Sequence, residues 1–296
     1  MSRAIKPARE CFLTDGDRFD EIKAECAERI GMPLDEQISP IRNGLTQVDR
    51  ITLGYHPSNI TAVGGRPGMG KTSYATTVTA NILRNSPEQV LYISTELPES
   101  RLIMQISEAF CGGIPTAPKN WQLQDAQKRW LKEAQDHVFK CIRSHQLSII
   151  YQKRMDANFI VDAIDHHCDT FHNETIALVI IDQMNRVKRD AKAGFGSYAL
   201  ASEELMNRLE VIAEQEGVPM MLLSQLNRGA DARVKPTLAD FKHTGAIEEF
   251  SHACILLHRE DTETVNGEII VAKTRDGAIG SVPARFEGAA HTWKEA

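Results

Sequence analysis

What this 296-residue chain lacks narrows its class before any motif is read. It has no apolar run long enough to span a bilayer, and Met1-Ser2-Arg3-Ala4-Ile5-Lys6 carries no signal-peptide core. Both absences point to a cytoplasmic protein with no membrane partner. No C-x-x-C pair occurs among its six cysteines (Cys11, Cys26, Cys111, Cys141, Cys168 and Cys254), so reduced, mostly buried thiols are expected rather than disulfides or zinc. His166, His167 and Cys168 with His172 come nearest to a metal cluster, but two ligands one helical turn apart do not close a site. An excess of positive charge is missing too. The net charge of −6 excludes a protein coated in basic surface and confines any nucleic-acid contact to local patches. Repeats and low-complexity segments are absent. What remains is 42% hydrophobic and 25% charged, an ordinary globular balance for one large domain or two small ones.

Against that background one motif stands out. Gly65-Arg66-Pro67-Gly68-Met69-Gly70-Lys71-Thr72 fits G-x-x-x-x-G-K-[ST], with Ser73 following. A strand is predicted just before it, over Asn59–Val63, and a helix just after it, over Ser73–Arg84. The chemistry asks for these residue types. Glycines let successive backbone N–H groups turn toward phosphates, and the helix N-terminus adds partial positive charge. Lys71 can reach the β- and γ-phosphates, and the Thr72 hydroxyl can ligand Mg²⁺. The motif predicts binding of a nucleoside triphosphate, ATP or another.

From residue 59 onward, apolar runs alternate with helical stretches. Strands are predicted at Asn59–Val63, Val90–Ser94, Leu147–Tyr151, Ala177–Asp182, Pro219–Ser224, His252–His258, Glu268–Thr274 and Val282–Phe286. Helices are predicted at Pro98–Phe110, Trp121–Val138, Ala157–Phe171 and Tyr198–Glu216. Continuous apolar strands separated by helices imply an α/β fold with a mostly parallel sheet buried on both faces. The short link Asp276–Gly280 makes the last strands an antiparallel edge. Ahead of the motif, Phe19, Ile22, Cys26 and Ile30 recur at helical spacing, followed by Gly31, Pro33 and a looser stretch to Arg42. This organisation divides the chain into an N-terminal segment with linker, residues 1–43, and a nucleotide-binding domain, residues 44–296. The short helix packs either on its own domain or on a neighbouring subunit.

In such sheets ligands lie at the carboxyl ends of the strands. The run Ala177-Leu178-Val179-Ile180-Ile181-Asp182 ends in an acid suited to the Mg²⁺ shell. Glu96 follows the strand Val90–Ser94; it could polarise an attacking water or serve as a helix-start charge ahead of Pro98. Gln225 ends another strand and could sense a γ-phosphate or simply begin a loop. Lys273 and Arg275 share a strand face through the period of two. They are either a solvated strand end or a finger reaching a phosphate on the next subunit.

Two loops at the same edge are locally basic. After Asp182, Arg186, Lys188, Arg189 and Lys192 offset only Asp190, a local charge of +3. After Gln225, Arg228, Arg233, Lys235 and Lys242 offset Asp231 and Asp240, a local charge of +2. In an acidic chain these loops suggest tracking of a nucleic-acid backbone coupled to hydrolysis; the alternative is solvated surface.

Taken in order, these segments resemble a known family. From about Gly44 to Trp293 the chain is similar to the C-terminal, RecA-like ATPase domain of DnaB-type replicative helicases. The resemblance rests on Gly65–Thr72, Ser94-Thr95-Glu96-Leu97, Ile181-Asp182, Leu223-Ser224-Gln225-Leu226-Asn227-Arg228, and Lys273-Thr274-Arg275 followed by Gly277 and Gly280. Gly44-Leu45-Thr46-Gln47-Val48-Asp49 also resembles the family's approach to the domain. The resemblance implies Glu96 as catalytic glutamate, Gln225 as γ-phosphate sensor, and Lys273 and Arg275 as a pair acting in trans. It also implies a hexameric ring on single-stranded DNA, with a helicase loader or primase as possible partner. Three departures accompany it. Gln183 and Asn185 stand where the family has tyrosine and glutamine. The second loop reads Asp240-Phe241-Lys242-His243-Thr244-Gly245, which keeps a cation but changes the family pattern. The family's helical N-terminal domain has no room here, as in a shortened form, natural or truncated. The alternatives are a RecA/RadA-like DNA-dependent ATPase that does not unwind, and a nucleotide-gated recruiting platform.

Overall fold

A computed structural model describes residues 39, 41–112, 124–171, 175–187, 197–226, 235–241 and 245–296. Ser39–Ala296 forms one compact unit. Its sheet strands are β1 (Ile60–Gly65), β2 (Gln89–Ser94), β3 (Leu147–Tyr151), β4 (Ile176–Asp182), β5 (Met220–Gln225), β6 (Ala253–His258), β7 (Asn266–Thr274), β8 (Gly280–Glu287) and β9 (Thr292–Glu295). Among the described residues they form a single nine-stranded sheet in the order β3-β2-β4-β5-β1-β6-β7-β8-β9. The six strands from β3 to β6 pair in parallel, and β7, β8 and β9 continue the sheet antiparallel. The predicted helices are present as α2 (Lys71–Asn85), α3 (Glu99–Phe110), α4 (Asp125–Arg143), α5 (Ala157–Thr170) and α6 (Ser197–Glu216). Two short helices, α1 (Thr46–Thr52) and α7 (Gly245–Phe250), complete the α-helices among the described residues.

The pattern of β4 explains the layering. All seven of its residues are buried, because helices cover both faces of the parallel region. Its alternate side chains feed two cores: Leu178 and Ile180 pack with Val63, Tyr74, Val78, Leu102 and Ile106. Val179 and Ile181 pack with Ile160, Ile164, Met206 and Leu209. β8 reads differently. Val282, Ala284 and Phe286 are buried while Pro283 and Arg285 are exposed, the alternation of a sheet covered on one face only. Thus one continuous sheet carries two regimes of hydrophobic patterning.

Three differences from the sequence expectation have physical causes. Helix α4 runs to Arg143 instead of ending at Val138; Gln127 Oε1 accepts from Gln124 N–H (2.9 Å) at its start, and Lys140 and Arg143 complement the dipole of its last turn. Helix α1, which was not foreseen, is anchored by Asp49. That carboxylate accepts from the N–H groups of Asn43 (2.7 Å) and Gly44 (3.0 Å) and from Asn43 Nδ2 (2.8 Å). Strand β9 was also missed: four residues are too few for a periodic signal, and it is held by pairing with β8. The predicted amphipathic stretch from Phe19 to Ile30 lies outside the described residues.

Candidate functional site

The phosphate loop follows β1 directly and turns into α2, whose N-cap is Gly70. Gly68 and Gly70 adopt φ of +78° and +84°, which side-chain-bearing residues rarely enter. A Cβ on Gly70 would also lie 2.8 Å from both Phe286 and Trp293. Lys71 Nζ donates to the carbonyls of Gly65 (2.9 Å) and Arg66 (3.4 Å), so it is folded back over the loop. The loop walls a cleft of about 410 Å³ lined by Pro67, Gly68, Gly70, Lys71, Thr72 and Ser73, with Glu96, Leu97, Gln105, Gln183, Arg186 and Gln225 opposite. Gly65, Arg66 and Met69 complete the motif without lining the cleft. Met69 is part of the core.

Across the loop stands Asp182. Its Oδ2 accepts from Thr72 Oγ1 (2.9 Å) and Tyr92 Oη (3.1 Å), whereas its buried Oδ1 has no hydrogen-bond partner. Burial pushes the carboxyl up to about 6, and the nearby Glu96 charge adds to that; Thr72, Tyr92 and Lys71 pull the other way. A buried carboxylate oxygen left open beside a threonine hydroxyl fits a hard divalent cation with oxygen ligands. Thr95 fixes the following peptide: its N–H donates to Asp182 O (2.5 Å), and its Oγ1 accepts from Gln183 N–H (3.0 Å).

Glu96 does not begin a helix. α3 begins at Glu99 behind Pro98, and Glu96 faces the cleft from the turn after β2. Ser94 Oγ holds that turn by accepting from the N–H groups of Glu96 (3.2 Å) and Leu97 (3.0 Å). Gln225 closes β5 and enters the same cleft; its N–H donates to Asn185 Oδ1 (2.6 Å), which also accepts from Ser224 Oγ (3.2 Å). Asn185, one of the departures from the family pattern, therefore ties the turn after β4 to the end of β5.

Lys273 and Arg275 lie elsewhere. The register pairs Gly65 with Leu257 and Thr61 with Ala253, which in turn pairs with Thr274. The pair therefore sits about four residues below the loop, roughly 13 Å along the strands. There Lys273 Nζ donates to Glu248 O and Arg275 donates to Glu249 O (3.0 Å), both at the C-terminal end of α7. Neither lines this chain's own cleft.

The basic loops divide similarly. Arg186 enters the cleft and pairs with Glu96 at 3.6 Å. Lys235 pairs with Glu268 (2.7 Å) on β7, and Gly245 opens α7. Lys188, Arg189, Lys192, Arg228, Arg233 and Lys242 lie outside the described residues. His167 Nε2 meets Gln89 Oε1 (2.9 Å) instead of a neighbouring metal-type ligand.

Two supports of the loop escaped the sequence reading. Arg259 donates to Gly68 O (2.5 Å) and to the carbonyls of Thr262 (3.0 Å) and Thr264 (2.9 Å), with its guanidinium 4.3 Å from the Phe286 ring centre. Trp293 Nε1 donates to Gly70 O (3.0 Å). Gln105 was missed as well, although a polar residue three positions from core Leu102 was a readable signal.

Residues 40–295 match the family described as the DnaB-like helicase C-terminal domain. The chain belongs to that family. Curated DnaB-like relatives include the probable replicative DNA helicase of Trieres chinensis, 26% identical over 92% of this chain and 60% of that protein. The replicative DNA helicase DnaC of Bacillus subtilis is 28% identical over 84% of this chain and 55% of its own length. The chain thus spans little more than half the length of these relatives. Two solved structures share the fold at a TM-score of 0.80. One is an ATPase domain at 24% identity, covering 95% of this chain and 100% of that one. The other is a DnaB-like replicative helicase studied with primase, at 23% identity, covering 96% of this chain and 68% of its own. Among the described residues no helix is long and apolar enough to cross a membrane.

Proposed function

We propose that this chain hydrolyses ATP, or another nucleoside triphosphate, at sites shared between copies of itself in a ring, and so moves along single-stranded DNA as a helicase motor in replication. The reading rests on one observation above the others. The loop, Glu96 and Gln225 line one cleft, with Asp182 bonded to Thr72 behind its wall, while Lys273 and Arg275 sit at the far end of the same sheet. A second copy can supply what the first cannot.

In this mechanism the loop N–H groups and Lys71 hold the β- and γ-phosphates. Asp182 and Thr72 are the residues that would hold Mg²⁺, which neutralises developing charge on the phosphate oxygens when bound. Glu96 accepts the proton of the attacking water. Gln225 contacts the γ-phosphate and, through Asn185, reports its loss to the turn after β4. Lys273 and Arg275 of an adjacent copy stabilise the transferring phosphoryl group. Arg186, Lys188, Arg189, Arg228, Arg233, Lys235, Lys242 and the Gly245 turn form the DNA path. Residues 44–296 serve as the motor domain, braced by Ser39 and Asn43 at the end of the N-terminal segment 1–43; a primase or loader is the further partner, and the cytoplasm the setting, in a bacterial, phage or mobile-element context.

Complementation tests the shared site. Lys71→Ala and Arg275→Ala chains are each expected to be inactive alone, since an arginine finger contributes on the order of 10³ or more to rate. Mixed, they create interfaces with an intact loop on one side and an intact finger on the other, and DNA-stimulated hydrolysis should return. Co-assembly without any return of hydrolysis would overturn the shared site. Unwinding of a forked duplex by the parent chain then separates a helicase from a DNA-dependent ATPase that does not unwind.

A further inference from the structure

We propose that Arg186 is a positioning residue that restrains Glu96 until nucleic-acid phosphate draws it away. The proposal rests on the assignment of Glu96 as the group that activates water. Arg186 Nη2 lies 3.6 Å from Glu96 Oε1, and both side chains line the nucleotide cleft. At that distance the contact is an ion pair without a hydrogen bond. A guanidinium beside Oε1 competes with water for that carboxylate oxygen, so the pair holds Glu96 away from its task.

The backbone of Arg186 is fixed while its side chain is not. It ends a single 3₁₀ turn, Met184–Arg186, pinned on either side by buried Met184 and Val187. Asn185 locks the same turn to β5 through Gln225 N–H and Ser224 Oγ. The Arg186 side chain remains half exposed, at 50%. It can therefore swing between the cleft and solvent without disturbing the fold. The sequence beyond Val187 continues through Lys188 and Arg189, so a strand attracted by those charges comes near Arg186, which pairs with Glu96. Phosphate competes well for arginine because the guanidinium fork matches its oxygens. Glu96 is then freed only when DNA is engaged, and hydrolysis becomes conditional on the track.

A half-exposed ion pair is weak, worth up to about 1 kcal/mol, which sets the size of the effect at roughly 2–5-fold. The test compares steady-state ATP hydrolysis by the parent chain, Arg186→Gln and Arg186→Lys, each without DNA and with saturating single-stranded oligonucleotide. Arg186→Gln should raise the DNA-free rate roughly 2–5-fold, so the stimulation ratio falls by about that factor. Arg186→Lys, which retains the charge, should keep most of the ratio. If Arg186 were instead a nucleotide ligand, Arg186→Gln would raise KM for ATP and lower both rates, and the proposal would fall. An unchanged stimulation ratio in Arg186→Gln overturns it equally. A parent chain that DNA does not stimulate strikes the proposed motor function itself.

Discussion

The parallel and antiparallel parts of the sheet divide the labour. From β3 to β6, strands end in the groups proposed to react: Glu96 after β2, Asp182 on β4, Gln225 on β5 and the phosphate loop after β1. Strands β7 to β9 supply no lining residue to that cleft. Together with Arg259, just past β6, this part instead holds the loop from behind, through Trp293 on the Gly70 carbonyl and Arg259 on the Gly68 carbonyl. Parallel strands point all their carboxyl ends one way, which collects reactive side chains at one edge. Antiparallel strands alternate direction and cannot do this, so within their own chain's cleft their contribution is shape. The comparison therefore separates groups that act on a phosphate from groups that keep the loop in the conformation that binds it.

The sharpest test of the contrast lies at the reacting edge. Glu96→Gln should bind nucleotide within about twofold of the parent yet lose hydrolysis by roughly 10²–10⁴, the usual range for a lost general base. Equilibrium binding of a fluorescent nucleotide beside steady-state turnover would show the split. Hydrolysis near the parental rate would return Glu96 to the role of a surface charge.

Next in size is the support. Trp293 is almost fully buried against Phe286, so Trp293→Ala should cost about 3–5 kcal/mol in a denaturant titration. Trp293→Phe keeps most of the packing and removes the bond to Gly70; a loss of about 1 kcal/mol and weaker nucleotide binding are expected. The division would break if Trp293→Phe lowered kcat with KM unchanged, because a supporting residue should act on binding.

A pH test probes the reacting half from the side of stability. Asp182 titrates at about 6 when folded, above its ordinary value of 3.8. The folded chain binds that proton more tightly than the unfolded chain does. The contribution is therefore fully present below pH about 4, is lost as pH rises toward 6, and stays lost above. Asp182→Asn removes this penalty and should stabilise the nucleotide-free protein at pH 8 by on the order of 1–3 kcal/mol, with the gain shrinking toward pH 4. Thermal melts in chelator across that range would show it. A gain independent of pH would mean the cost of Asp182 is steric instead of electrostatic. The smallest effect is expected at Lys235→Gln. Its pair with Glu268 is largely exposed, and stability should move by less than about 0.5 kcal/mol.

The reacting half was legible in the sequence and the supporting half was not, for a physical reason. Buried parallel strands must be continuously apolar and their ends must carry the chemistry, so β4 announced itself as the apolar run Ala177–Ile181 closed by Asp182. The phosphate loop did so through its glycines and Lys71. Arg259 and Trp293 act over 191 and 223 positions in the chain, and single contacts of that span leave no periodic trace. Helix α1 was hidden because its Asp49 looks like a surface acid until Asn43 folds over it. Arg186 could be read as a basic-loop residue, but its approach to Glu96 depends on how the turn after β4 lies against the turn after β2.

The polar knot around Asn43 bears on how this domain can be cut. Asn43 Oδ1 accepts from Tyr55 Oη (2.6 Å) and Tyr74 Oη (2.8 Å), and both tyrosines are buried in the core. Tyr74 lies two residues beyond Thr72 on the helix that presents the loop. Upstream, Ser39 N–H donates to Leu53 O (2.9 Å) and Ser39 Oγ donates to Tyr55 O (2.5 Å). A version begun at Leu45 would keep every residue of the nucleotide motif and strand two buried phenols, each costing about 1–3 kcal/mol. The minimal autonomous piece therefore starts no later than Ser39, more than twenty residues ahead of the first glycine of the loop.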